Sequence, residues 1–341
     1  MARQVEERHD LDPSALPHEV MTSSRPLLLR GLMSSWPVVR AARQSDRDVV
    51  DYLQQFDSKR PIIFLTAPPK AKGRIFYNED LTDFNFTRHR GPLSATLEQI
   101  LRASKPSDPS IYMGSTLLDV YLPGFREHNT FDLKAEQREL ASIWIGNRAR
   151  IAAHQDLPSN LACVVAGRRR FTLFPPDQLA NLYVGPLDFT VAGQAISLVD
   201  FQEPDYSRYP RFREAMEHAL VAELEPGDAL IIPSMWWHHV ESLEPLNILV
   251  NFWWREEPTY MDSPFNTLLH ALLTIRELPP EQRRIWQETF RHYVFEPGEA
   301  THGHIPEPAR GVLGPFDEQR ARELRSKLVQ ELNRLSERAH P

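Results

Sequence analysis

The chain has 341 residues, enough for one large core or two modest domains, and its 41% hydrophobic and 25% charged residues exclude a disordered protein. A formal charge of −7 argues against nucleic acid as the main partner, and no apolar stretch is long enough to span a bilayer. The single cysteine, Cys163, excludes an intramolecular disulfide framework. Together with a charged Met1–Asp12 stretch in place of an apolar leader, it sets the expectation of a cytoplasmic protein.

With 29 prolines against 14 glycines, rigid turns and short elements are expected. Residues up to about Pro26 read as an arm, followed by a buried strand at Leu27-Leu28-Leu29 between Pro26 and Gly31. Val49, Val50, Leu53 and Phe56 fall at helical spacing over 46–56, and Leu93, Leu97, Ile100 and Leu101 do so over 93–101. Strands are expected at 61–65 and 111–114, so residues 1–110 form a mixed α/β flank to a core over 111–260.

From Ile143 to Trp254 the pattern changes to closely spaced strands. The runs 160–166 and 170–176, joined by a turn at Gly167, carry the signature of a hairpin. Glu225-Pro226-Gly227-Asp228 is a second tight turn, and 243–246 a third that leads into 248–254 as the hairpin partner of the preceding strand. Many short strands without intervening helices predict an all-β core, an antiparallel sandwich or barrel. The connection from about Asp177 to Ala222 is long enough to be functional and to cover a site.

Beyond residue 260 the pattern is helical. Ser263-Pro264 caps one helix, Pro280 opens a second, and a third is expected over about 317–338. Ala321, Leu324, Leu328, Leu332 and Leu335 form an apolar seam on the last one, suited to packing on its own domain or on a second subunit.

The chemistry-bearing residues cluster in the β region. His154 and Asp156 are two apart, so on a strand they share a face, and a third imidazole from Trp236-Trp237-His238-His239 would complete two histidines and a carboxylate around a metal. Alternation lets only one of His238 and His239 join them, and periodicity alone does not choose. Asn251 and Trp253 are placed to share the interior, where a bound carboxylate could satisfy the buried amide. Within Arg168-Arg169-Arg170 the middle residue points opposite to its neighbours, and one inward arginine can clamp a carboxylate. His302-Gly303-His304, in a Pro- and Gly-rich loop, reads as solvent-exposed. No nucleophile elbow, phosphate loop, His-Glu-X-X-His or cysteine-rich zinc pattern is present.

Several of these stretches resemble the cupin-like JmjC family of Fe(II)- and 2-oxoglutarate-dependent oxygenases, nearest to the asparaginyl hydroxylase that inhibits hypoxia-inducible factor. They are Ala153-His154-Gln155-Asp156 with Asn160, Phe174-Pro175-Pro176-Asp177-Gln178, Val199-Asp200-Phe201 with Pro204-Asp205-Tyr206, Pro226-Gly227-Asp228, Trp236 to Ser242, and Val250-Asn251-Phe252-Trp253. The resemblance implies a double-stranded β-helix with His154, Asp156 and His238 as iron ligands. It also implies a 2-oxoglutarate pocket using Tyr112, Asn160 and Asn251, with Arg169 where those relatives carry a lysine and Ile151 where they carry a threonine. Trp253 then lies on the substrate side, and the 261–341 helices form a homodimer interface. The implied reaction hydroxylates a peptide, protein or small molecule, with release of succinate and CO2. Ala195 and Ile196 stand where the asparaginyl hydroxylase uses a polar pair, so its substrate is not implied. A metal-binding cupin acting as a sensor or binding protein, or a cupin enzyme that does not use 2-oxoglutarate, is the alternative.

Overall fold

A computed structural model describes residues 3–131, 133 and 139–338, with side chains through 334. Residues 1–256 form one unit and 257–341 another. Two mixed sheets build the first unit. The six-stranded sheet runs, in order, Arg3–Gln4, Leu220–Leu224, Arg169–Phe174, Trp237–Ser242, Arg150–His154 and Arg74–Ile75. The nine-stranded sheet runs Glu6–Arg8, Leu27–Leu29, Ala229–Ile232, Ser159–Ala166, Asn247–Trp254, Leu140–Gly146, Ser110–Leu117, Ile62–Ala67 and Thr87–Gly91.

The strand Ser159–Ala166 reads as an unbroken apolar run because both of its faces are covered. Leu161, Cys163 and Val165 pack into the larger core, with Val38, Val39, Val49, Val50, Leu53 and Leu97 from the N-terminal helices Pro37–Gln44, Asp46–Gln54 and Leu93–Arg102. Ala162 and Val164 face the other way, into a second core shared with Phe171, Leu173 and Val240 of the six-stranded sheet. In Asn247–Trp254, Ile248, Val250 and Phe252 join the first core, which leaves Leu249, Asn251 and Trp253 on the face between the sheets.

Two expected hairpins are absent. Ser159–Ala166 pairs with Ala229–Ile232 and Asn247–Trp254, whereas Arg169–Phe174 pairs with Leu220–Leu224 and Trp237–Ser242 in the other sheet. Likewise Trp237–Ser242 and Asn247–Trp254 lie in different sheets. The turns at Gly167 and 243–246 therefore carry the chain across the interior, because both flanking strands can then turn an apolar face inward. The arm is also ordered into the sheets: Arg3–Gln4 extends one edge and Glu6–Arg8 extends the other, with Val5 buried between. The helix Pro37–Gln44 and the strands Arg74–Ile75 and Thr87–Gly91 had no sequence expectation; the two strands are too short or too polar to show a period.

Asp228, in the second tight turn, accepts hydrogen bonds from Gly31 N at 2.8 Å and Arg30 Nη1 at 2.7 Å, fastening Leu27–Leu29 beside Ala229–Ile232. In the second unit, Ser263 Oγ caps the helix Pro264–Thr274, accepting from Phe265 N. Pro280–Phe290 and Glu318–Arg338 follow, and none of the first two helices' residues is buried. Of the expected seam, Leu328 and Leu332 are exposed, and the Leu335 side chain lies outside the described residues. His304 is exposed as expected, but His302 is half-buried, with Nδ1 enclosed and without a hydrogen-bond partner. No helix among the described residues is long and apolar enough to cross a membrane.

Gly167 adopts φ +70°, and a Cβ there would stand 2.3 Å from the Leu246 carbonyl oxygen. Gly167→Ala is expected to cost about 1–3 kcal/mol from backbone conformation alone, read as a lower urea midpoint; an unchanged midpoint refutes the tight crossing.

Candidate metal and ligand site

The strand Arg150–His154 runs antiparallel to Trp237–Ser242, and this pairing sets His154 directly opposite His238. Their rings lie 4.2 Å apart, centroid to centroid. The strand ends at His154, so Asp156 reaches the site from the loop that follows and not from the shared strand face expected of the triplet. Its Oδ2 is 3.5 Å from His238 Nε2, and one ligand atom from each of the three residues fits within 4.8 Å of the others.

That loop is fixed by a clasp to the turn before His238. Met235 N donates to Asp156 O at 2.9 Å, Gln155 Nε2 donates to Met235 O at 2.6 Å, and Ser234 Oγ donates to Leu157 O at 2.6 Å. Met235 holds φ +64°, uncommon for a residue with a side chain, to make this contact.

Both imidazoles are oriented for ligation. His154 Nδ1 donates to Ala152 O at 2.9 Å and His238 Nδ1 to Trp236 O at 3.0 Å; a carbonyl only accepts, so each Nδ1 carries a proton and Nε2 is the atom left to face a metal. Burial, with the neighbouring His238, lowers the His154 pKa to about 4, which keeps that ring neutral. Burial works against the Asp156 carboxylate, but His238 and the charge of His154 outweigh it and hold the pKa at about 2. The Trp253 indole N–H adds to this from nearby without closing a full hydrogen bond. Two imidazoles and an ionised carboxylate form a donor set for a divalent transition metal. His239 faces away, its ring 4.4 Å from Phe201, and burial and Arg150 lower its pKa to about 3. Alternation, with Ile232, Trp236 and Val240 packed inside, is what chooses His238.

The three residues open into a cavity of about 470 Å³ between the sheets, and Tyr112, Asn160, Arg169, Asn251 and Trp253 line it as well. Arg168 and Arg170 pair outward with Glu244 and Glu223, while Arg169 points in. Arg169 is buried; its Nη2 donates to Trp144 O at 3.3 Å and its Nε has no partner. Burial lowers its pKa to about 10 and raises that of neighbouring Tyr112 to about 12. Asn251 differs from expectation: its amide is already satisfied within the protein, accepting from Trp144 Nε1 at 2.7 Å and donating to Asn160 Oδ1 at 3.1 Å. Trp144, which makes that bond and an edge contact 5.7 Å from Trp253, has no role in the sequence reading, because Ile143-Trp144-Ile145 is apolar throughout and shows no face.

The long connection contributes Val191, Ala192, Gln194 and Ile196 to the cavity wall. It is tied there by Ser197 N to Ala153 O at 2.8 Å and by Tyr77 Oη to Phe189 O at 2.6 Å. Further along, Asp200 binds Arg150 at 2.7 Å and Phe201 covers His239, so the same connection also backs the outer face of the six-stranded sheet.

Two sheets enclosing a His-Asp-His cluster define a cupin-type architecture with a candidate metal centre. The chain belongs to the cupin-like domain family, whose model matches residues 13–260. It is similar to human HSPB1-associated protein 1, 32% identical over 162 residues, a stretch that covers 46% of this chain and 32% of that protein. It is also similar to the lysine-specific demethylase JMJ31 of Arabidopsis thaliana, 35% identical over 137 residues, covering 38% of this chain and 24% of the relative. A third likeness is to the Gallus gallus tRNA wybutosine-synthesizing protein 5, at 28% over 180 residues, covering 48% and 52%. The matched stretch thus spans about half or less of each of these relatives.

Replacing His154 or Asp156 by alanine is expected to abolish stoichiometric binding of a divalent metal. Ser234→Ala, which only loosens the clasp, is expected to weaken it about 10- to 100-fold. Competition against a chelating dye reads both, and unchanged affinity in Ser234→Ala would show that the clasp does not position Asp156.

Proposed function

We propose that the protein is an Fe(II)- and 2-oxoglutarate-dependent oxygenase that hydroxylates a peptide, protein or small-molecule substrate in a double-stranded β-helix. The observation that carries the reading is Arg169: a buried cation with an unpartnered Nε and, among the described residues, no carboxylate beside it, lining the same cavity as the His-Asp-His cluster. A buried charge without a counter-charge is costly, so the site is built for an anionic ligand. A dicarboxylate can meet Arg169 at one end and a metal held by His154, Asp156 and His238 at the other. The bound metal and cosubstrate supply oxidation of a substrate C–H bond by O2, with release of succinate and CO2.

The chain's own residues do the rest. His154 and His238 present their Nε2 atoms because their Nδ1 protons are committed to backbone carbonyls. Asp156 supplies the single ligand charge and stays ionised well below neutral pH. Arg169 binds the far carboxylate, and its planar guanidinium can do so through two parallel hydrogen bonds. Tyr112 stands beside it as a further polar contact, and Asn160 lines the same cavity, while Asn251 holds Asn160 and Trp144 in place. Ile151, Phe171, Val240 and Leu249 make this end of the cavity apolar and exclude water. Trp253, edge-on to Trp144, borders the substrate side.

Anaerobic addition of Fe(II) and 2-oxoglutarate is expected to give a metal-to-ligand charge-transfer band, and admission of O2 to give succinate. Arg169→Gln should retain iron binding and lose the band at 2-oxoglutarate concentrations that saturate the wild type. A band equally strong in Arg169→Gln refutes the clamp. Its absence from the iron-loaded wild type leaves the alternative, a cupin that binds metal without this cosubstrate.

We further propose that a second copy of the chain covers the C-terminal helices. Phe265, Leu268, Leu269, Leu273, Ile285 and Trp286 are all exposed in one 85-residue unit, and clustered exposed apolar side chains mark association surfaces. Sedimentation is expected to give a dimer that Leu269→Glu with Leu273→Glu converts to monomer; a monomeric wild type rules this out.

A further inference from the structure

The mouth of the cavity carries a second arginine. Thr87–Gly91 is the edge strand of the nine-stranded sheet, and on it Arg88 pairs with Leu65, which in turn pairs with Tyr112. Cross-strand partners share a face, so Arg88, Leu65 and Tyr112 form one row leading from the rim to the neighbourhood of Arg169. Both Arg88 and Leu65 line the cavity.

Most arginines of this region are held by a carboxylate; Arg88 and Arg90 are not. Arg74 and Arg150 are held by Asp200, Arg168 by Glu244 and Arg170 by Glu223. Arg88 has neither an ion pair nor a side-chain hydrogen bond to any described residue. Its neighbour Arg90, two residues on and on the same face, does not line the cavity. An arginine on an open edge strand is an ordinary guard against unwanted strand pairing, and Arg90 needs no further explanation. Arg88 has the additional position over the opening.

The charge balance of the cavity singles it out. Its charged lining residues are Arg88, Arg169 and Asp156, two cations against one anion, so the wall carries an excess of one positive charge. A divalent metal and a dianionic cosubstrate cancel each other, so the excess is the same loaded or empty. Arg169, at the buried end, is the group the cosubstrate neutralises. The charge left over is Arg88, and the rim around it is apolar: Ile63 is 52% exposed there, with Leu65 beside it and Val191 and Ala192 also lining the opening.

We propose that Arg88 selects the substrate, and that the substrate brings a single carboxylate on an apolar body. The carboxylate pairs with the guanidinium at the rim while the apolar part lies against Ile63 and Leu65, pointing inward to the metal end. A free aliphatic acid and an acidic side chain in an apolar peptide share this chemistry. The inference deepens the oxygenase reading by naming what its substrate carries, but the pairing itself needs no metal.

The test uses the full chain, metal-free and again anaerobically with Fe(II) and 2-oxoglutarate. Quenching of the emission of Trp144 and Trp253, which line the cavity, reports binding. One arm compares hexanoate with hexanamide; the other compares a blocked Leu-Glu-Leu tripeptide with its glutamine counterpart. In at least one arm the acid is expected to bind roughly tenfold more tightly than the amide, the scale of one charge-assisted hydrogen bond, and the arm that shows it identifies the source. Arg88→Gln should erase the preference, Arg88→Lys keep part of it, and Arg90→Gln leave it intact. Equal binding of acid and amide in both arms, no saturable binding of any probe, or a preference that survives Arg88→Gln overturns the proposal. A preference seen without any 2-oxoglutarate charge-transfer band upholds Arg88 and sinks the oxygenase reading; the band without the preference does the reverse.

Discussion

Everything at the centre of this protein depends on the register between Arg150–His154 and Trp237–Ser242. Opposing His154 to His238 brings two imidazoles from distant parts of the chain to 4.2 Å, with their Nδ1 protons spent on backbone carbonyls. A slip of one residue would put His239 in the cavity and His238 against Phe201, reversing the whole strand. The register is guarded on the inside by Trp236 and Val240 in the apolar core and on the outside by Phe201 over His239. Hydrophobic packing on two faces thus fixes the position of a polar cluster in which the side chains themselves make few direct bonds.

The second organising constraint is electrostatic. At two places outside the cavity, buried or half-buried charge is answered within the protein: Asp228 by Arg30, and Asp200 by Arg150 and Arg74. In the cavity the answers are incomplete. Arg169 is buried with no partner for its Nε among the described residues, and Asp156 is held ionised beside His154, whose ring burial keeps neutral. Local cost of this kind persists where the surrounding fold is stable enough to bear it, and here two apolar cores flank the cavity walls.

Most of the strands and the meeting of His154, Asp156 and His238 were legible in the sequence, for definite reasons. The runs at Leu27–Leu29, Ser159–Ala166 and Asn247–Trp254 are apolar on every residue or every second one because sheet faces impose a period of two. The inward turn of Arg169 followed from the same alternation. What could not be read was pairing over distance. A tight turn between two strands looks the same whether they are neighbours in one sheet or face each other across a core, so Gly167 and 243–246 suggested hairpins that do not exist. The membership of Asn251 in a bond network with Trp144 and Asn160 was hidden for a related reason: it joins three strands through residues far apart in the chain. Arg88 was invisible because Thr87–Gly91 is polar throughout and shows no pattern that would mark it as a strand.

The N-terminal arm has a consequence for solubility. Arg3–Gln4 occupies the edge beside Leu220–Leu224, and Glu6–Arg8 occupies the edge beside Leu27–Leu29, in parallel pairings five residues or fewer apart along the chain. One short segment, exposed and charged at Arg3, Glu6, Glu7 and Arg8, therefore seals the ends of both sheets at once. Peeling it away would uncover the backbone edge of an all-apolar Leu27-Leu28-Leu29 strand together with that of its counterpart in the other sheet. Two raw edges side by side are a template for sticking to other chains. The arm is in this sense an anti-aggregation seam, and fraying there is the local event that would turn a folded molecule into an associating one.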